Sequence, residues 1–342
     1  MKALIKTAPG VGNLEVLEVA EPIPQPDQLK IEVKAAAICG TDLHIHDDEY
    51  VNSPPMILGH EMSGVVVEVG DRVTRFKEGD RVTSESFKYT CGECRFCQTG
   101  LIGLCIHRTS MGVHVDGAFA QYVCQREESL HQLPENVDFE AGCMSEPTAV
   151  AVRAVHERAG VSTGDIVLVS GPGPVGLLCL QAAKMLGATV ILVGADGDEN
   201  RLALGKQLGA DLVLNAQADS LERVLDMTGD LGVDVAIECA GAKASLEQCI
   251  RFSRKAAQLV LVGLYGNEVE ICLDQAIIKE LTILPSFTYR HPTWRRAIQL
   301  LGEGDIKTAP LVSGRFPLTE WKQAFEAVRA RQGNKYLLLP VG

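Results

Sequence analysis

Residues 166–176 read Ile166-Val167-Leu168-Val169-Ser170-Gly171-Pro172-Gly173-Pro174-Val175-Gly176. A short, almost wholly apolar run, a glycine–proline turn and a second apolar run to Leu186 form the pattern of a buried strand feeding a helix. The turn carries Gly171-x-Gly173-x-x-Gly176, and in that context the spacing is a dinucleotide fingerprint. Gly171 permits the tight turn, Gly173 lets backbone approach a pyrophosphate, and Gly176 lets the helix pack on its strand. The helix opened by Pro174 and Val175 presents its free N-terminal N–H groups to phosphate. A plain turn between two packed elements is the bland alternative.

The same alternation continues toward the C-terminus. Strand patterns at 189–193, 212–215, 233–238 and 258–262 are separated by helical patterns at 177–186, 199–208 and 244–252, which predicts a doubly wound parallel α/β sheet. Toward the N-terminus the texture changes at Pro147. A helical stretch at 148–160 is preceded by brief strands at 3–7, 14–19, 29–36, 64–69, 81–84 and 118–123, punctuated by glycine and aspartate. Such spacing predicts a compact antiparallel barrel or sandwich. Beyond Pro285 the pattern loosens into helices at 293–301 and 318–331 and a last strand at 336–339.

The 342 residues suit about two domains of ordinary size. With 32 basic and 44 acidic residues the formal net charge is −12, which repels a phosphate backbone and argues against a nucleic-acid partner. The stretch between Asp165 and Lys184 lacks charge, but its glycine–proline turn splits it into pieces too short to span a bilayer, so no membrane partner is expected. The opening Met1-Lys2-Ala3-Leu4-Ile5-Lys6 turns polar at once, unlike a signal peptide, and points to the cytoplasm. Eleven cysteines in a chain of this length, an odd count, fit metal ligation under reducing conditions better than disulfides.

Four of them, Cys91-x2-Cys94-x2-Cys97-x7-Cys105, fall within fifteen residues rich in turn formers. A closed set of four thiolates at such spacing is the signature of structural zinc. A second set is dispersed: Cys39 in Cys39-Gly40-Thr41-Asp42-Leu43-His44, the pair His60-Glu61, and Glu146 in Ser145-Glu146-Pro147. Each alone is ordinary, since a lone cysteine is usually buried and a lone histidine usually satisfied. At the end of the second α/β strand stands Asp196, where a carboxylate accepts bonds from ribose hydroxyls and favours NAD over NADP. Arg201 nearby suits a 2′-phosphate equally well, and a solvated loop aspartate is the bland reading of Asp196.

The three motifs, in this order and across essentially the whole chain, resemble the zinc-dependent medium-chain dehydrogenase/reductase family. The resemblance implies a GroES-like β-rich catalytic domain at 1–148, to which 286–342 returns, and a Rossmann NAD(P)-binding domain at 149–285. It implies a catalytic zinc held by Cys39 and His60, with Glu61 ligating or swinging away, beside the structural zinc. Glu146 stands where classical alcohol dehydrogenases carry a cysteine ligand, as in the polyol and threonine dehydrogenase branches. Thr41 and His44 match a relay that hands the substrate proton through the cofactor ribose to histidine, a task suited to its pKa. As plain readings, Thr41 ends a strand and His44 lies on the surface.

The resemblance therefore implies an NAD(P)-dependent oxidation of a secondary hydroxyl on a small polar alcohol, with a polyol or sugar-derived substrate first. An additional carboxylate at the metal suits a hydroxyl-rich substrate better than a simple hydrophobic alcohol. Arg290 is a further candidate contact for substrate hydroxyls. L-threonine 3-dehydrogenase, another zinc alcohol dehydrogenase, and a cofactor-binding regulatory protein without turnover are the rival readings. Relatives are commonly dimers or tetramers, so a homo-oligomer is expected.

Overall fold

The computed structural model describes residues 1–217 and 220–340. Six strands form one sheet in the spatial order Leu212–Asn215, Thr189–Gly194, Ile166–Ser170, Val233–Glu238, Ser253–Leu261 and Thr282–Pro285. Every neighbouring pair is parallel. In chain order this is 3-2-1-4-5-6, the doubly wound arrangement, whose ligand crevice lies beyond the carboxyl ends of strands one and four. Val167, Leu168, Val169, Val190, Ile191 and Leu192 are wholly buried. That is why these strands read as continuous apolar runs instead of alternating ones.

The helix Pro174–Met185 opens directly after the glycine turn with proline in its first turn, where the missing N–H costs nothing. The helical pattern at 148–160 resolves into an α-helix, Ser145–Val152, that widens into a π-helical turn at Arg153–Arg158. The wide turn coincides with two guanidinium contacts: Arg153 Nη1 reaches Phe287 O at 2.6 Å, and Arg158 Nε reaches Pro285 O at 3.0 Å. The edge strand Thr282–Pro285 escapes sequence reading because it is mostly exposed and ends on proline, both habits of sheet edges.

The β-rich part centres on the strand Gln28–Ala37. One sheet runs Leu130–Gln132, Arg81–Ser84, Glu61–Val69, Gln28–Ala37, Lys335–Leu339 and Val312–Pro317, with Tyr122–Arg126 also pairing to Gln28–Ala37. Its pairs are antiparallel, as the strand texture predicts, except for Val312–Pro317 with Lys335–Leu339, which is parallel. A three-stranded sheet of Leu14–Glu18, Lys2–Lys6 and Met56–Ile57 lies beside it in sequence order. Around these sheets Leu4, Leu29, Ile31, Met62, Phe119 and Leu338 belong to one buried apolar cluster.

The strand expected at 118–123 begins later, at Tyr122. Ala118 and Phe119 are buried, but their N–H groups go to the carbonyls of Gly59 and Leu58 in a loop. Burial made them apolar, and no regular ladder was needed.

The described chain divides into two compact units. One contains Met1–Glu146, Arg290–Glu303 and the described residues from Thr308 on, and the other those of Pro147–Tyr289 with Gly304–Lys307. No described helix is long and apolar enough to cross a membrane.

Candidate active site

The four clustered cysteines lie on a turn-rich stretch around the short helix Arg95–Gln98. Their sulfur atoms all lie within 4.8 Å of one another. Cys91 Sγ is 4.0 Å from Cys97 Sγ and 3.6 Å from Cys105 Sγ. Tetrahedral zinc with Zn–S bonds near 2.3 Å sets its sulfurs about 3.8 Å apart, whereas a disulfide needs about 2.05 Å. The spacing therefore fits one shared ion. Backbone N–H groups of Cys91 and His107 point at Cys105 Sγ (3.4 Å each), and that of Cys94 at Cys91 Sγ (3.3 Å). N–H donors favour the thiolate form, and the Cys94 thiol is pushed down to about 6, first by its backbone bond at Cys97.

The dispersed set converges as well. Cys39 caps the helix Gly40–His46, with its N–H donating to Asp42 Oδ2 at 2.8 Å. His60 and Glu61 sit at the start of the strand Glu61–Val69, whose first residue pairs with Ala37. One donor atom from each of Cys39, His60 and Glu61 lies within 4.8 Å of the others. Glu146 is not part of that cluster. It is buried, and burial pushes its carboxyl up to about 7 against the pull of His60.

Two residues outside the sequence reading complete this site. Lys335, in the last strand and 3% exposed, has its Nζ 2.6 Å from the Glu61 carboxylate. Burial works against the lysine's charge, but Glu61 and Cys39 overcome it and hold its pKa above the ordinary value. Asp42 is wholly buried, and its Oδ1 stands 3.7 Å from His60 Nδ1. Both atoms lack a hydrogen-bond partner among the described residues. Burial depresses the His60 imidazole, yet Asp42 and Cys39 outweigh it and raise its pKa well above the ordinary value.

The donor chemistry fits a dication. Cys39, Asp42, Glu61 and Glu146 set four acidic groups around a single buried lysine, an imbalance that a divalent ion would offset. A ligating histidine commonly gives its second ring nitrogen to a carboxylate, and Asp42 is placed for that once the gap closes. Thr41 Oγ1 lies 3.7 Å from Cys39 Sγ. His44, three residues further along the same helix, is held at Nδ1 by Glu49 at 2.8 Å with its ring partly open to solvent. Arg290 Nε reaches Gly100 O, in the four-cysteine stretch, at 3.4 Å.

In the other unit the glycine turn has the shape its spacing predicts. Gly171 has φ +102°, and a Cβ there would meet Ala240 N at 2.9 Å. A Cβ on Gly176 would sit 1.9 Å from Gly171 O, whereas one on Gly173 would meet nothing within 4 Å. Gly173 thus faces open space at the helix N-terminus, a cradle that fits a pyrophosphate. Asp196 is exposed beyond the strand Thr189–Gly194, and its Oδ1 accepts from Asn215 Nδ2 at 2.7 Å. Arg201 Nη1 is engaged by Asp198 Oδ1 at 3.3 Å.

Glu238, wholly buried at the end of strand Val233–Glu238, was not anticipated. Its carboxylate accepts from Ala240 N (2.8 Å), Gly241 N (3.0 Å) and Ser245 Oγ (2.6 Å). It thereby fixes the loop against which Gly171 packs. An acidic residue closing an apolar strand was the available signal.

Comparison with known proteins agrees with both donor chemistries. Residues 25–135 match the alcohol dehydrogenase GroES-like domain and residues 174–303 match zinc-binding dehydrogenase. The chain is 40% identical to a sorbitol dehydrogenase of Halalkalibacterium halodurans over 100% of both chains. It is 39% identical to a D-arabitol-phosphate dehydrogenase of Enterococcus avium, covering 98% of this chain and 96% of that one. A candidate zinc-binding dehydrogenase of Sinorhizobium meliloti 1021, solved bound to NADP, superposes with a TM-score of 0.91 at 34% identity over 99% of each chain. Likeness of this depth along the full length means that the chain belongs to the zinc-dependent medium-chain dehydrogenase/reductase family and is an NAD(P)-dependent oxidoreductase.

Proposed function

We propose that the chain oxidises a secondary hydroxyl of a small polyol or sugar-derived substrate, with Cys39, His60 and Glu61 holding the catalytic zinc and Glu146 beside them. The observation that carries this reading is the donor cluster of half-buried Cys39 with buried His60 and Glu61, together with an additional buried carboxylate at Glu146. Likeness to the sorbitol and D-arabitol-phosphate dehydrogenases supports the substrate class. When bound, zinc supplies a Lewis acid that lowers the pKa of the substrate hydroxyl, and NAD(P) supplies the hydride acceptor. Lys335 keeps the Glu61 charge compensated, and Asp42 orients His60. Thr41 relays the hydroxyl proton, releasing its own as it accepts, and His44, partly exposed and braced by Glu49, receives it by way of the bound cofactor's ribose and delivers it to water. Gly171, Gly173, Pro174, Val175 and Gly176 cradle the pyrophosphate. Asp196 receives the ribose hydroxyls, whereas Arg201 is already engaged by Asp198, which favours NAD over NADP.

On this reading residues 1–148 with 286–342 form the catalytic domain and 149–285 the cofactor domain. We also propose a cytoplasmic homo-oligomer, dimer or tetramer. The eleven free cysteines suit a reducing compartment. The edge strand Thr282–Pro285 leaves backbone unpaired on one side, and the exposed Ile277, Ile278 and Ile283 lie on or near it in sequence, features that suit a second copy of the chain. Steady-state rates with sorbitol, arabitol and their phosphates, L-threonine and ethanol, each with NAD and NADP, test the proposal. A clear preference for ethanol or L-threonine overturns it.

A further inference from the structure

The two zinc donor sets do not exhaust the ligating side chains. Glu85 follows the strand Arg81–Ser84, His131 lies in the strand Leu130–Gln132 that pairs with it, and His291 opens the helix His291–Glu303. Residues separated by up to 206 positions thus converge, with one donor atom from each within 4.8 Å of the others. Glu85 is wholly buried. Its Oε1 meets His131 Nε2 at 2.7 Å and His291 Nδ1 at 2.5 Å.

The second oxygen, Oε2, is buried without a hydrogen-bond partner among the described residues. A buried carboxylate oxygen without a donor is costly, and a cation is the simplest remedy. The His131 ring is fixed by stacking on Trp294, with centroids 5.7 Å apart and 25° between planes. The His291 side chain is 43% exposed and borders a cavity of about 220 Å³ that Phe87, Tyr89 and Ser129 also line.

We propose that Glu85, His131 and His291 form a third metal site, which takes a divalent transition-metal ion such as Zn²⁺ or Co²⁺ and completes its coordination with water from that cavity. Two imidazoles and one carboxylate are a donor set that such ions accept with a position left open. Tetrahedral bonds of about 2.0–2.2 Å put neighbouring donors roughly 3.4 Å apart. The present contacts therefore need to open by somewhat under about 1 Å, and the half-exposed His291 is the member free to move. The bound ion ties the helix His291–Glu303 to the two strands. Lacking a thiolate, this site differs chemically from the other two and exchanges its ion more readily.

The test uses the full chain carrying its two zincs, titrated with Co²⁺ and followed by elemental analysis and absorption spectroscopy. The expected result is a third metal equivalent whose cobalt shows visible d–d bands without a thiolate-to-cobalt charge-transfer band. That equivalent is lost in Glu85→Gln and in His291→Ala, the latter a half-exposed position that leaves the core intact. Stoichiometry that stops at two under excess Co²⁺, cobalt signals only of the thiolate type, or a third equivalent that survives both substitutions overturns the proposal and leaves a hydrogen-bonded cluster only.

Discussion

The two thiolate-containing sites of the β-rich unit are built in opposite ways. The Cys91–Cys105 set draws all its donors from fifteen consecutive residues, braces them with its own backbone N–H groups, and keeps much of its surface exposed. The Cys39 set takes one half-buried residue from a helix cap and two buried ones from a strand start, with buried Glu146 from a helix start nearby in the same unit. Its Glu61 carboxylate is paired with Lys335, almost 300 positions from Cys39 in the chain. A closed local set suits a brace, whereas an open, dispersed one lets several elements shape the space around a substrate.

Reciprocal substitutions put that contrast under the largest strain. Cys39→Ser is expected to lower kcat by about 10⁴-fold, or about 5 kcal/mol of barrier, while the melting temperature stays near that of the parent. Cys97→Ser should do the reverse, with one zinc lost, a clear drop in melting temperature, and residual turnover in the folded fraction. Metal analysis, calorimetry and kinetics on both variants read this out, and identical profiles would abolish the distinction.

Lys335→Met leaves the Glu61 carboxylate buried and uncompensated, which should cost about 3–5 kcal/mol in chemical denaturation. A cost below about 1 kcal/mol would mean that the pair contributes nothing special to the dispersed site. A smaller effect separates two glycines of one turn. Gly176→Ala, whose Cβ would strike Gly171 O, should lose about 1–3 kcal/mol of stability. Gly173→Ala should keep stability and weaken NAD(P) binding, as a calorimetric titration would show.

The smallest effect concerns the Asp47–Arg329 pair, which joins the helix carrying Thr41 and His44 to the helix Trp321–Arg329. Arg329 and then His46 hold the Asp47 carboxyl below the usual range. A folded pKa lower than the unfolded one gives stability that is present above the unfolded value, about 3.9, and disappears as pH falls through the folded one. Both groups are partly exposed, so Asp47→Asn should cost under about 1 kcal/mol at pH 7 and progressively less as pH falls below about 4. Melting curves across that range decide the sign.

Legibility followed the same division. The strands Ile166–Ser170, Arg81–Ser84, Leu212–Asn215 and Val233–Glu238 have the bounds their apolar patterns predict. The four cysteines and three glycines were readable because spacing along the chain is itself their geometry. Cys39, His60 and Glu61 were grouped only through a family resemblance, since nothing local links them. Lys335 was invisible for a physical reason: its importance is a buried partner, Glu61, that sequence neighbours do not supply. The loop at Ala118–Phe119 misled because apolar burial, without a ladder, reads like a strand.

The strand Lys335–Leu339 lies inside its sheet, between Gln28–Ala37 and Val312–Pro317. During synthesis at about 5–20 residues per second, the parallel sheet of 166–285 is complete as soon as its own residues have emerged. The β-rich sheet must wait for its late strand, with the Ala36–Ala37 end of Gln28–Ala37 lacking a partner on that side and Glu61 without its lysine. On the ribosome the cofactor fold precedes the catalytic pocket, and a chain stopped before residue 335 leaves that pocket unfinished.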